Sequence, residues 1–336
     1  MSSLTASVLI PSFGRPASLA KCLASLQHQT VPPRQVILVW QKQDTPTRDL
    51  AESCRAGFEG VLEVVHCDIR GVVPAENRAL AAATSDIVLL IDDDAIAPSD
   101  WIERHLIHYG DPTVGAVGGP ADNFHPDGKP FPKQTRCPVG QLAWFGKLHG
   151  NMYDHVPAWR SRSPAVVDHL VGYNLSLRRQ AFDRFEESLK PYWQMFELDA
   201  CLQVKARGYR VLFDYANVVE HHPTNTAYAG GRDGDLMVKI YNGAYNYACV
   251  LGKHSPWYLA FPRLAFLLAA GSVSSPGLLG ALVAARRFGR PIREARILQK
   301  TWRHHIAGWR AGRACRRSQR RIRRDAHPVP ESLEVS

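Results

Sequence analysis

Short unbroken apolar runs alternate along this chain with stretches whose apolar positions recur every three or four residues. Ala6 to Pro11 (ASVLIP) has the pattern of a strand buried on both faces. Between Ser18 and Gln29, Leu19, Cys22, Leu23 and Leu26 fall at helical spacing. Val36 to Trp40 predicts a second buried strand, Leu62 to Val65 a shorter third, and Pro74 to Ala83 an alanine-rich helix. Asp86 to Ile91 predicts a fourth strand that runs directly into Asp92-Asp93-Asp94. Asp122 to Pro164 is rich in Pro, Gly, His and aromatics and has no period, which predicts a long irregular insertion of the kind used as a lid or binding loop. Regular structure returns at Ala165–Val167. Ala181–Glu187 and Asp199–Arg207 predict helices, and Val211–Phe213 and Asn217–Val219 predict closing strands. Strands alternating with helices imply a doubly wound, mainly parallel sheet, which binds ligands beyond the carboxyl ends of its strands. Pro11–Arg15, Gln41–Asp44 and Asp92–Asp94 all fall there.

Composition changes this picture mainly at the C-terminus. The chain has 336 residues and a net charge of +10. From Ala285 onward there are fourteen Arg and one Lys against four acids, a net of +11, which leaves −1 for residues 1–284. The body is electrically ordinary and the basic character sits on what reads as a separable segment. That placement suits an anionic membrane surface, and no nucleic-acid partner is expected. Seven cysteines, an odd number without a CxxC, argue against a disulfide framework or a zinc knuckle and fit a reducing compartment. The first residues show no signal peptide. Leu264 to Ala285 is a stretch of twenty-two residues without a charge, long enough to cross a bilayer. Ser272, Ser274, Ser275 and Pro276 interrupt it, and a crossing would carry the Arg-rich tail across with it. A broken, interfacial helical pair with the tail on the same face is the favoured reading; a core helix pair followed by a solvated basic helix is the alternative.

The candidate chemistry is carried by acids at element ends. Carboxylates spaced one apart at the end of an apolar strand, as in Asp92-Asp93-Asp94, suit a hard divalent cation that also holds phosphate oxygens. An isolated acidic run capping the next helix would look the same. Gly14 permits an unusual turn before the helix opened by Arg15-Pro16, whose N-terminus could face a base or diphosphate. There is no G-x-G-x-x-G and no Walker A sequence, which speaks against a dinucleotide dehydrogenase or a P-loop kinase. Glu197 and Asp199 open a helix, where either could serve as a general base or simply complement the helix dipole. His221-His222 end the last apolar run, as metal ligands or as a polar strand terminus.

Four segments taken together resemble family 2 glycosyltransferases of the GT-A fold, across roughly residues 5–225. They are VLIPSFGRPASLAKCLASLQHQT, GVVPAENRALAAATSDIVLLIDDD, VGYNLSLRRQAF, and FELDACLQVKARGYRV followed by VVEHHP. The resemblance implies an inverting, metal-dependent transfer from a nucleotide-sugar donor to a hydroxyl of a glycan or lipid-linked acceptor. Asp94 and His221 would bind Mn²⁺ or Mg²⁺. Asp92 and Asp93 would meet the donor, with Pro11, Ser12, Phe13 and Arg15 lining the base and ribose pocket. Glu197 would be the base, with Asp199 as the alternative, and Asn174 would stand on the acceptor side. Gln41 or Asp44 stands where the family usually carries an aspartate-rich turn. Glu76 precedes Asn77 and Arg78, further donor candidates, where the family often has Arg. Within the irregular insertion, Trp144 and Phe145 are the candidates for stacking on an acceptor sugar or for anchoring the loop. The expected organisation is a GT-A domain over residues 1–225 and a helical, basic, membrane-associating extension over residues 226–336. In that extension the apolar segment is 257–285 and the Arg-rich tail 286–324, with the protein peripheral on the cytoplasmic face of the cell membrane. A sugar-1-phosphate nucleotidyltransferase is a weaker reading, because PSFGRP is a poor version of its Gly-rich, basic loop. A membrane- or nucleic-acid-binding module explains the tail but leaves the acids and His221 without a role.

Overall fold

The computed structural model describes residues 4–125, 127–131, 139–150, 154–191, 195–223, 235–272 and 275–326. These form two compact units. The first holds residues 1–143, 148–188 and 196–234, and the second residues 144–147, 189–195 and 235–336.

In the first unit the predicted alternation takes shape as β1 (Ala6–Ser12), α1 (Pro16–Leu26), β2 (Gln35–Gln41), α2 (Thr45–Cys54), β3 (Leu62–Cys67), α3 (Val72–Ala82) and β4 (Ile87–Leu90). Then come β5 (Ala95–Ile96), α4 (Trp101–His108), β6 (Val114–Gly118), β7 (Ala121–Asn123), β8 (Gln141–Leu142), β9 (Leu148–His149), β10 (Ala165–Val166) and β11 (Leu175–Arg178). The unit closes with α5 (Phe196–Ala206), β12 (Arg210–Phe213) and β13 (Val219–His221). The main sheet has the order β10-β12-β6-β11-β4-β1-β2-β3. It is parallel through β4-β1-β2-β3 and at β12-β6, while β11 and β10 run antiparallel to their neighbours. Every residue of β1 and β4 is buried, which is what an unbroken apolar run requires when helices cover both faces. Because β4, β1 and β2 are adjacent and parallel, their carboxyl ends open side by side. That brings the Asp92 turn, the Ser12–Arg15 turn and Gln41 to one edge. Gly14 has φ +69°, a left-handed conformation that glycine adopts without strain.

Two local expectations change. Ala181–Glu187 is not a helix; only a short 3₁₀ turn forms at Arg179–Ala181, and Asn77 fastens the chain beyond it by hydrogen bonds with Phe185. The closing strand runs Val219–His221 instead of Asn217–Val219, because it pairs with β5 and β7 in a second sheet ordered β5-β13-β7. Within the irregular insertion the described residues form the β8–β9 pair and a 3₁₀ turn at Pro157–Trp159.

The second unit contains α6 (Leu236–His254), α7 (Trp257–Ala269), a β14 (Gly271–Ser272) and β15 (Ser275–Pro276) pair, α8 (Leu278–Phe288) and the long α9 (Pro291–Ala326). The uncharged stretch is thus broken into two helices. No helix among the described residues is long and apolar enough to cross a membrane. The basic helix is not a free appendage. Thr301 and His305 are buried, the Trp302 indole donates to the Leu268 carbonyl, and α9 packs along α6 through glycines. A side chain at Gly308 or Gly312 would start 2.0 Å from the carbonyl oxygen of Tyr245 or Cys249. Arg313 and Arg316 donate to the carbonyls of Ser255 and of Lys253 and Ser255, closing the C-terminal end of α6 as cations at a helix terminus do.

Candidate active site

The site is assembled by a pairing that links distant parts of the chain. After β4 the chain turns through Asp92–Asp94 into β5. There Ala95 lies opposite His221 of β13, and the His222 N–H donates to the Asp94 carbonyl at 2.8 Å. His221 Nε2 comes within 3.3 Å of Asp94 Oδ1 and 3.9 Å of Asp92 Oδ2. Ligand atoms of Asp92, Asp94 and His221 all lie within 4.8 Å of one another. On its other side β13 is in register with β7, so His221 faces Asn123, and the imidazole Nδ1 donates to the Asn123 oxygen at 2.8 Å. Asn123 in turn donates to Asp154 at 2.6 Å, and Tyr173 stacks on the imidazole at 4.7 Å. These contacts fix the ring and direct Nε2 at the two carboxylates. Nε2 is buried and makes no hydrogen bond to the described residues. Two carboxylates and one imidazole nitrogen converging in this way fit a divalent ion such as Mn²⁺ or Mg²⁺.

Asp93 faces the other way, as alternation along an extended turn demands. It is fully buried, accepts from Ser12 Oγ at 2.6 Å and forms an ion pair with Arg15. Arg15 also reaches Asp94 Oδ2 at 2.6 Å, so the two oxygens of Asp94 are divided between the guanidinium and His221. Burial pushes the Asp93 carboxyl above the ordinary carboxylate range, and its acidic neighbours add to this against the pull of Arg15 and Ser12. Glu197 lies in the first turn of α5, where the Gly172 N–H supports its carboxylate. Its pKa is also raised to about 7, chiefly by burial and further by the charge of Asp92. A carboxyl tuned to that range is suited to take a proton near neutral pH. Glu76, which the sequence left without a role, is buried with Oε2 making no hydrogen bond to the described residues, and its pKa is raised well above the ordinary range by burial and by Asp92 and Glu197.

Several sequence candidates are placed elsewhere. Asp93, Ser12 and Arg15, expected to meet the donor, contact one another and orient the acidic turn. Pro11 is buried in β1, and Phe13 lies under the Arg70 guanidinium at 4.2 Å. Gln41 bridges the Ser12 carbonyl and the Gly71 N–H, and Asp44 caps α2 while accepting from the Gly14 N–H. Both therefore set loop geometry. Asn77 is tied to Phe185 and Glu187, and with Arg78 it lines a separate cavity of about 680 Å³ between α3 and the chain after β11. Asn174 is fully buried. It accepts from the Trp101 indole at 2.9 Å, lies 3.0 Å from His105 Nε2 and donates to the Pro120 and Asn217 carbonyls. Its amide, expected on the acceptor side, is engaged within the protein. Asp199 is buried against Gln203, two positions from Glu197 and on another face of α5. The His222 ring stacks on Phe124. Trp144 and Phe145 belong to the helical unit, where Phe145 packs edge-on against Phe266 and Arg263 donates to the Trp144 carbonyl. Asn123, Tyr173 and Asp154 were not visible as site residues, because only the β13–β7 register brings the first of them to His221.

A sheet of this order with an Asp-Asp-His cluster at its open edge defines a GT-A-type fold, and comparisons with known proteins agree. A mannosyltransferase of Pyrobaculum calidifontis, solved with GDP-Man and Mn²⁺, superposes with a TM-score of 0.54 at 18% identity over 92% of this chain and 86% of its own. GalNAc-T7, solved with UDP, GalNAc and Mn²⁺, gives a TM-score of 0.59 at 15% identity over 85% and 54%. The sequence model described as glycosyl transferase family 2 matches residues 7–185, more than half of the chain. The chain therefore belongs to glycosyltransferase family 2. Among curated proteins, the succinoglycan biosynthesis protein ExoM of Rhizobium meliloti is 30% identical over 175 residues, 51% of this chain and 50% of that protein. The glucosyl-dolichyl phosphate glucuronosyltransferase of Haloferax volcanii is 30% identical over 112 residues, 32% and 34% of the two chains. The chain spans half or less of the length of these relatives.

Proposed function

We propose that the protein transfers a glycosyl unit, with inversion, from a nucleoside diphosphate sugar to a hydroxyl group of a growing cell-surface glycan carried on a lipid. The observation that carries the reading is the convergence of Asp92, Asp94 and His221 at the sheet edge of a family 2 chain. These three side chains would hold a divalent cation, which when bound supplies positive charge to the diphosphate leaving group. Arg15, by holding Asp93 and Asp94, keeps the acidic turn in place before substrate arrives. Glu197 accepts the proton of the acceptor hydroxyl as its oxygen attacks the anomeric carbon. The bond from that carbon to the diphosphate oxygen breaks on the opposite face, and the nucleoside diphosphate leaves with the electron pair. The names of the ExoM and Haloferax relatives support a polysaccharide or polyprenyl-linked acceptor. Nucleotide sugars are made in the cytoplasm, so the reaction belongs on the inner face of the membrane with the protein peripheral to it.

The test is release of nucleoside diphosphate by the purified full-length chain from a panel of nucleotide sugars, with Mn²⁺ or with EDTA. Turnover should require the metal, and Asp94→Ala should abolish it while leaving the fold intact. Turnover within about threefold of wild type after both treatments, a barrier change below about 1 kcal/mol, would remove the metal role.

A further inference from the structure

The helical unit wears two of its helices inside out. In α7, Trp257, Phe261, Ala265 and Ala269 recur every fourth residue and all are exposed, Trp257 and Phe261 at 82%. The only charged residue of α7, Arg263, is buried and donates to the Trp144 carbonyl and Ser255 Oγ. In α8 the polarity is again reversed: Leu282 and Val283 are 57% and 67% exposed, with Leu278 and Leu279 one turn earlier, while Ala281 faces in. Scattered exposed apolar residues are ordinary, but two successive helices flanking the β14–β15 pair and both facing large apolar side chains to water are not. The charges bordering this surface say what covers it. Arg286, Arg287, Arg290 and Arg293 follow immediately and are exposed. In a symmetric pairing of two copies the same surface meets itself, which would set these arginines against their counterparts. Anionic headgroups would instead receive them, and Trp and Tyr are the aromatics that settle at such a boundary.

We propose that α7 and α8 lie in the plane of an anionic bilayer as an interfacial anchor. Trp257, Phe261, Leu282 and Val283 enter the acyl boundary, and Arg286 and Arg287 hold lipid phosphates. The anchor deepens the peripheral placement proposed above and rests on that reading. Arg313 and Arg316 take no part, because they are committed to the end of α6.

The experiment is co-sedimentation of the full-length protein with vesicles of phosphatidylcholine alone or mixed with phosphatidylglycerol, with light scattering in the absence of lipid. Wild type should sediment with the mixed vesicles. The pairs Trp257→Ser/Phe261→Ser and Leu282→Ser/Val283→Ser should each weaken partition at least about tenfold, since each removes two large buried apolar groups. Arg286→Glu/Arg287→Glu should abolish the preference for the anionic mixture. Ile107→Ser, on an equally exposed residue of α4, should change nothing. All variants should keep wild-type nucleotide release. Wild type that stays in solution, or apolar variants that sediment like wild type, would overturn the proposal. A lipid-free dimer converted to a monomer by Trp257→Ser/Phe261→Ser would overturn it too, in favour of a second copy on this face. Vesicle binding without nucleotide release would count against the transferase reading and leave the anchor standing.

Discussion

At the scale of single residues, groups proposed to meet substrate are distinct from groups that hold the others in place. Glu197 belongs to the first group, and replacement by Gln keeps its size while removing the proton acceptor. The expected loss is on the order of 10²–10⁴ in turnover, with donor affinity little changed. Its raised pKa gives the pH sign. The carboxylate is the active form, so the rate should fall as pH drops through about 7. A cation bound at Asp92 would counter part of the upward push and move that inflection lower. The acid limb should be absent in Glu197→Gln, and a pH–rate profile of both proteins checks this. Asn174 belongs to the second group. Asn174→Ala would strand the Trp101 indole and the Pro120 and Asn217 carbonyls inside the protein, at an expected cost on the order of 2–4 kcal/mol in a denaturation experiment. An acceptor role would instead have predicted a raised Michaelis constant at unchanged stability. Asp92, Asp94 and Glu197 stood out in the sequence through the family resemblance, because an acidic run at a strand end or in the first turn of a helix also caps that helix or complements its dipole. The sequence could not separate Asn174 from a ligand-facing amide, since both are a polar residue before a strand.

At the scale of elements, the first four strands and the two helices predicted among them were legible because period and burial agree there, whereas α2 (Thr45–Cys54) was not predicted. β6 was missed: VGAVG is short and glycine-rich, and what holds it is pairing with β11 and β12. Pairing also shifted the last strand, and no local pattern encodes a partner some 125 residues away. The α6–α9 seam is another case, because its determinants are absent side chains. Gly308→Ala or Gly312→Ala would drive a methyl into a backbone carbonyl of α6 and pry the two helices apart. The expected penalty is about 1–3 kcal/mol, read as a lower thermal midpoint and faster proteolysis within the helical unit. Ala311→Gly, beside them on α9, should cost only about 1 kcal/mol through helix propensity.

At the scale of the whole molecule, a near-neutral catalytic body is joined to a strongly basic helix, and the charge asymmetry first suggested two separable halves. The structure changes the expected behaviour of a truncation. A chain ending at Ala285 loses the partner that covers α6, so it should aggregate or become protease-sensitive instead of merely losing its response to salt. Size-exclusion chromatography of that truncation against the charge-reversed full-length protein distinguishes the two outcomes. The glycine seam also makes the number of residues in α9 matter as much as their kind. One residue inserted between Lys300 and Gly308 turns everything beyond it by about 100° and carries both glycines off the carbonyls they clear. Seven residues inserted there complete nearly two turns and displace the face by only about 20°, but they carry both glycines about 10 Å along the axis, away from the Tyr245 and Cys249 carbonyls. The helix therefore tolerates neither kind of insertion before Gly308: one residue turns the seam away and seven slide it out of register.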